Sequence, residues 1–438
     1  MAVFDDPAAD GGEPATFPDM TLAQKAFLLE RLCAVEPCRR SSVPAGQKRF
    51  KNGGVRAKRE AKARRDAMED DSAATAAREK RKADVVAELR AAITKRSMAP
   101  FYEATCARFR WDVDAVLLAK MRSENAAELL ALEAKHADAV ANHGDMEVLD
   151  ALFEVSRFHA RIGAQAEAYA ACDVIKDKPK ISTGKRIDAL MEKVRVALFY
   201  GDAKTISAGL ATARDLVSNG GDWDRNNRLS VYESVHCIIN RDMSQAANKL
   251  LNGVATFTCT ELCTYPEFVF FAVVTNILTL GRPELKKKII DGPDILQIIR
   301  QIPHLYELVT SLYDCEYECF FRTLLCLHDQ LLEDRFFAAH SRFLIREMRV
   351  LVYTQFLDAY KSVTLDAMAE KFGVSVPFLD RELAHFISCG RLNAKIDKVG
   401  RMVETNRPDY KSAQYQSIIK QGDVLLNRIQ KLARRVSI

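Results

Sequence analysis

From Ala83 to about Gln330 the apolar residues return with the period of a helix, and no alternating β-branched run bounded by hairpin turns interrupts them. That period commits the larger part of the chain to α structure. Three glycines punctuate it: Gly144 in NHGDMEVLDAL, Gly163 in ARIGAQAEAYA and Gly201 in FYGDAKTISAG. Each is placed to close one apolar helix and open the next. Their spacings of 19 and 38 residues equal one helix plus turn and then two, as in a stacked array of helical hairpins. A hairpin cannot bury both faces alone, so neighbours must stack, and an extended curved surface suited to binding other proteins results. An irregular helical domain is the plainer reading of the same period.

Composition fits a folded, soluble chain: apolar residues make up 48% and charged residues 28% of 438. The first 20 residues hold Asp5, Asp6, Asp10, Glu13 and Asp19 and no Lys or Arg, so a secretory signal is not expected. Phe268 to Leu280 is the longest apolar run; its 13 residues include Thr275 and Asn276, and it reads as a buried helix rather than a membrane span. Eleven scattered cysteines without a secretory signal point to reduced thiols and to cytoplasm and nucleus.

The net charge of +5 is concentrated. Nine basic residues against Glu60 alone lie between Lys48 and Arg65, so the rest of the chain is near neutral and any polyanion binding is confined to that stretch. Residues 41–54 (SSVPAGQKRFKNGG) read as a flexible loop, and Val55 to Lys82 as a solvated, Ala-rich, frayed helix without an apolar stripe. The stretch 335–360 reads as one long helix with apolar residues on more than one face, joining the array to the C-terminal part of the chain.

Beyond residue 360 the pattern changes. Leu365, Met368, Ala369 and Phe372 share a helix face ended by Gly373, and a second helix beginning near Pro377 buries Leu379, Leu383, Phe386 and Ile387 and stops at Gly390. Two short alternating stretches, LNAKIDKV and MVETN, lie on either side of Gly400. Helix, turn, helix and small hairpin make a winged helix. Its second helix holds Asp380, Arg381 and Glu382 for a net of −1, which argues against DNA reading and for a protein–protein module whose hairpin edge pairs with a neighbour. Leu392, Ala394 and Ile396 are then expected to face the core, leaving Asn393, Lys395, Asp397 and Val399 as candidate partner-binding positions. The final segment carries a heptad seam: Tyr415, Ile418, Gly422, Leu425, Ile429, Leu432 and Val436 succeed one another at alternating spacings of 3 and 4. A seam this narrow wants partner helices, the alternative being a helix packed back on its own domain.

Catalytic chemistry has no visible carrier. TGKR at Thr183 to Arg186 lacks the earlier Gly of a phosphate loop, since Pro179 stands there, and no GxGxxG or HExxH occurs. Cys259 with Cys263, and Cys315 with Cys319 and Cys326 in CEYECFFRTLLCLHD, have the four-residue steps of one helix face, but core packing explains them better than zinc. No catalytic residue, cofactor or metal is expected.

Helical repeats feeding a winged helix resemble the PCI domain of the proteasome lid, the signalosome and a translation initiation factor complex. MAPFYEATCARFRWDVD (Met98 to Asp114), GGDWDRNNRLSVYES (Gly220 to Ser234), RDMSQAANKL (Arg241 to Leu250) and KIDKVGRMVETNRPD (Lys395 to Asp409) carry the resemblance further, to the lid-subunit family commonly numbered seven. It covers nearly everything from Lys82 onward. It implies a non-catalytic scaffold in ubiquitin-dependent protein degradation, touching other PCI subunits side by side through winged helices. It also implies contact with the lid isopeptidase pair through a bundle of C-terminal helices, and with base ATPases. The rivals are the homologous signalosome scaffold and a nucleic-acid-binding PCI protein.

The expected layout is mainly α. An N-terminal segment with a short helix (1–38) precedes a basic Ala-rich insertion (39–82) that departs from the family and reads as spacer, nuclear-import signal or contact for an acidic surface. A TPR-like right-handed helical-hairpin solenoid (83–334) leads into a linker helix and winged-helix PCI module (335–408), then a bundling C-terminal helix (409–438).

Overall fold

The computed structural model describes residues 16–34, 54–179, 181–405 and 410–436. The loop expected over 41–54 falls outside these residues except for Gly54, as do Lys48 to Lys51 of the basic stretch. From Gly54 the chain is helical: α1 (Met20–Ala34) is followed by α2, which runs unbroken over Gly54–Lys95 and so crosses the boundary expected at 82. Beyond it come α3 (Ala99–Phe109), α4 (Ala115–Asn142), α5 (Asp145–Ile162), α6 (Gln165–Asp177), α7 (Thr183–Tyr200), α8 (Ala203–Ser218), α9 (Trp223–Ile239), α10 (Met243–Gly253) and α11 (Tyr265–Thr279).

Each helix from α4 to α11 packs on the next in the chain, the arrangement of stacked hairpins that the glycine spacing predicts. Local chemistry sets the joints. Asp114 accepts from the backbone N–H groups of Val116 (3.0 Å) and Leu117 (3.2 Å) to open α4, and Ser182, Asp202 and Asp242 cap α7, α8 and α10 in the same way. Gly163 closes α5 with φ of 79°, and a Cβ there would lie 2.7 Å from Phe101 Cβ, so both its backbone and its surroundings demand glycine. TGKR forms the first turn of α7, an ordinary helix start. The apolar run in α11 is a buried core helix from Phe268 to Ile277 save Phe270, and no helix among the described residues is long and apolar enough to cross a membrane.

The remaining elements are α12 (Arg282–Leu285), α13 (Pro293–Ile299), α14 (Leu305–Asp314), α15 (Tyr317–Glu333), α16 (Ser341–Ala359), β1 (Ser362–Thr364), α17 (Leu365–Phe372), α18 (Val376–Ser388), β2 (Ala394–Asp397), β3 (Met402–Thr405) and α19 (Tyr410–Val436). Contacts divide the chain into two units, at places other than the expected boundary between 334 and 335. The first takes 1–279, 293–299 and 329–340; the second takes 280–292, 300–328 and 341–438. The reason within the second unit is aromatic. Phe372 of α17 stacks on Tyr317 of α15 at 4.9 Å between centroids and meets Tyr353 and Phe356 of α16 at 5.1 and 5.3 Å, so α15 shares a core with the winged helix.

Two sequence readings need correction. The stretch 335–360 is not one helix: residues 335–340 form turns and a short 3-10 segment before α16 begins at Ser341. Asp334 causes the break, because its Oδ1 accepts from the N–H groups of Phe336 (2.7 Å) and Phe337 (2.9 Å) and so competes with helix hydrogen bonding. Nor is CEYECFFRTLLCLHD helical throughout. Cys315 sits in the left-handed region (φ 63°) between α14 and α15, which takes it off the helix face that Cys319 and Cys326 share. Cys259 and Cys263 lie in a loop, both buried.

In the first unit a polar knot is buried beneath α7 and α9. Glu261 accepts from Arg195, from Arg228 (2.8 Å) and from the Tyr232 hydroxyl (2.7 Å), while Arg195 Nε donates to the Phe17 carbonyl at 2.9 Å. Burial pushes the Glu261 carboxyl up, but the two guanidinium groups outweigh it and hold the carboxyl below its usual range. Removing one member of such a set strands the others, so Glu261→Ala should lower the stability of the first unit by about 3 kcal/mol or more, read by chemical denaturation.

Asp334 is the opposite case. Burial pushes its carboxyl up to about 6, against the two backbone hydrogen bonds that favour the charged form. The folded chain therefore holds this proton more tightly than the unfolded chain, whose carboxyl titrates near 3.8, and stability from this group falls as pH rises between those values. Asp334→Asn should match the parent near pH 4 and gain on it steadily towards pH 6 in paired denaturation curves; a constant difference would contradict the assignment.

Candidate functional site

The winged helix builds its outer surface from a fixed inner one. Thr364 caps α17 by accepting from the Ala367 N–H, and Leu365, Met368, Ala369 and Phe372 face inward as their spacing requires. Gly373 turns the chain with φ of 62° into α18, whose Leu379, Leu383 and Phe386 are buried and whose Ile387 is half-buried. The acids of α18 are engaged internally. Glu382 accepts from the Tyr353 hydroxyl at 2.6 Å and pairs with Arg349 at 2.5 Å, and Asp380 pairs with Lys398 at 3.6 Å. What α18 shows to solvent is Pro377, Phe378, Arg381, Ala384, His385 and Ser388, with one permanent cation among them. That face offers little to a phosphate backbone.

The three strands form an antiparallel sheet in the order β1-β3-β2, with Ile396 opposite Val403 and Val363 also opposite Val403 on the other side. β3 is therefore central, and β2 is an edge with one strand neighbour. Leu392 and Ala394 are buried and Ile396 is half-buried, as expected for the inward face, and Asn393, Lys395 and Asp397 are exposed on the other. Val399 is not part of that row: it lies in the β2–β3 turn and is 96% exposed. Asp397 shapes this turn, its Oδ1 accepting from the Val399 N–H at 2.9 Å, while Gly400 leaves room for its other oxygen. The structure thus sets Lys395 and Asp397 on one edge strand, Asn393 immediately before it and Val399 in the turn beyond it.

α19 is the other candidate surface. Every described side chain on it is exposed, including Tyr415, Ile418, Leu425, Ile429, Leu432 and Val436, each between 56% and 78%. No described residue covers the seam. The seam is also wider than its 3-and-4 spacing indicates, because Ile419 and Leu426 are 61% and 58% exposed beside it and Ala433 continues their row. The sequence held this signal one position after Ile418 and Leu425. Three apolar positions per heptad suit a helix set among several neighbours, whereas two suit a two-stranded coil.

Comparison with known proteins agrees with this division. Residues 114–288 match the family model of the 26S proteasome subunit RPN7, residues 317–407 match the PCI domain, and residues 414–436 match the 26S proteasome regulatory subunit RPN7/PSMD6 C-terminal helix. A rice protein (Oryza sativa subsp. japonica), 26S proteasome non-ATPase regulatory subunit 6, is 43% identical over 82% of this chain and 92% of its own length. The 26S proteasome regulatory subunit RPN7 of Saccharomyces cerevisiae is 38% identical over 67% of this chain and 70% of its own. The COP9 signalosome complex subunit 1 of Arabidopsis thaliana is more distant, at 24% identity over 41% of this chain and 40% of its own. With an array of stacked helices, a PCI module and a matching C-terminal helix in this order, the chain belongs to the RPN7 family of 26S proteasome non-ATPase regulatory subunits.

Proposed function

We propose that this chain is a non-catalytic scaffold of the proteasome lid, supporting ubiquitin-dependent protein degradation by holding neighbouring PCI subunits and joining a bundle of C-terminal helices. One observation carries the reading: α19 exposes its whole apolar face, and no described residue covers it, whereas α5, α7, α11 and α16 each bury an apolar face. Covering each such side chain contributes about 1.5–3 kcal/mol, so a partner that supplies the cover gains a large driving force. Most of a helix's stability in a protein comes from packing its amphipathic face, which couples the order of α19 to assembly.

The winged helix supplies a second contact in this proposal. The free edge of β2, with Asn393, Lys395 and Asp397 on its outward face and Val399 at the turn, pairs side by side with a related PCI subunit. The isopeptidase pair of the lid is reached through the helix bundle, and the stacked helices of the first unit offer surface to the base ATPases. The contribution to degradation is geometric, and cytoplasm and nucleus are its proposed compartments.

Replacing Leu425 and Ile429 with Asp should leave the free chain folded, since both side chains are exposed and such surface changes usually alter stability by less than about 0.5 kcal/mol. The same variant should be excluded from the regulatory particle when the tagged full-length chain is purified from its own cells and its partners are quantified by mass spectrometry. Normal co-purification of lid and base subunits with that variant would contradict the bundling role.

A further inference from the structure

The C-terminal helix also specifies what kind of neighbour it takes, an inference that rests on the bundling proposed above. With Tyr415 at heptad position a, Gly422, Ile429 and Val436 recur at a, Ile418, Leu425 and Leu432 occupy d, and Ile419, Leu426 and Ala433 occupy e. Gly422 therefore stands in the middle of the apolar face, ringed by Ile418, Ile419, Leu425 and Leu426 one turn away on either side.

Glycine is a poor helix residue, and its use inside a helix normally answers a steric demand. No described residue makes one here. A Cβ at position 422 would meet no described atom within 4 Å outside its own turn of helix, and the backbone there is not in the left-handed region. The gap serves a body outside the chain: it is a hole that a bulky side chain of another helix can enter.

The flanks define that body further. α19 carries six Lys and Arg against Asp423 alone. Beside the d positions lie Gln421, Arg428 and Arg435 at g, and beside the a and e positions lie Gln416, Asp423 and Gln430 at b. Arg428 and Arg435 are exposed, and neither has a carboxylate partner among the described residues. A second copy of the same helix would set net positive charge against net positive charge, which opposes a homotypic pair.

We infer that α19 receives a helix of a different chain that seats a large apolar side chain over Gly422 and carries Asp or Glu along the edge meeting Arg428 and Arg435. Geometry and charge then act together: the hole fixes the register, and the arginines reject partners lacking acids on that edge.

The test measures incorporation of the tagged full-length chain into the regulatory particle, by quantitative mass spectrometry, for four variants beside the parent. Gly422→Leu fills the hole while completing the apolar row and favouring helix, so its loss of incorporation cannot come from unfolding of α19. It should fall about tenfold or more, as should Arg428→Glu with Arg435→Glu, since each tenfold corresponds to a modest loss of binding free energy. Lys420→Glu with Arg434→Glu, on the opposite side at the f positions, makes the same charge change and should stay near the parent. Parent-like incorporation of Gly422→Leu, or equal loss from both charge reversals, overturns the inference. Leu425→Asp with Ile429→Asp separates the two levels. If it is excluded while Gly422→Leu and the g-position reversal enter normally, bundling stands and this inference falls; if it enters normally, bundling itself fails.

Discussion

A helix with one apolar stripe must cover that stripe with something, and in this chain the cover is nearly always the next helix along. From α4 to α11 each helix meets its successor, so much of the fold grows by local contacts, while α1 adds cover to Phe199 of α7 and Phe336 and Phe337 pack on Phe270 and Phe271 of α11. Where a successor does not supply the cover, the apolar face must be closed by other means. In the second unit the aromatic group around Phe372 closes such faces, drawing Tyr317, Tyr353 and Phe356 into one core with the winged helix. α19 has no such closure among the described residues, and in the proposed scaffold role that uncovered face is the one a partner closes.

The polar interior also rests on local causes. Glu261 is tolerable inside the first unit because two guanidinium groups and the Tyr232 hydroxyl converge on it, and Arg195 uses its remaining reach to hold the Phe17 carbonyl. Asp334 sits inside with no cation in ion-pair range among the described residues, satisfied by two backbone N–H groups, and its carboxyl is pushed up accordingly. One buried acid is held charged by its neighbours, and the other ends a helix.

Much of this was legible in the sequence, for reasons that can be stated residue by residue. Helical period, capping residues and glycines act within a few positions, so Gly144, Gly163, Gly201 and Gly373 mark real helix joints. The inward row of Leu392, Ala394 and Ile396 comes from the period of two in a strand, but Val399 does not belong to the outward row because the turn begins before it. β1 was not foreseen: its three residues are too few to show a period, and pairing with β3 across forty residues of sequence defines it. The breaks at Cys315 and after Glu333 were missed because each depends on a local choice, a left-handed residue and an Asp that bonds the backbone ahead of it, inside segments whose apolar pattern reads straight through. The width of the α19 face was missed for a different reason. Counting the seam at 3 and 4 passes over Ile419 and Leu426, although they stand beside it.

Hydrogen exchange read by mass spectrometry over residues 410–436, in the free chain and in the assembled regulatory particle, tests the central claim most directly. If α19 is an unclosed face completed by assembly, its amides exchange quickly in the free chain and are protected by orders of magnitude in the particle, with the strongest protection around Gly422 to Ile429. Equal exchange in both states would mean that nothing covers the helix in the particle, and the scaffold would have to be held by other surfaces.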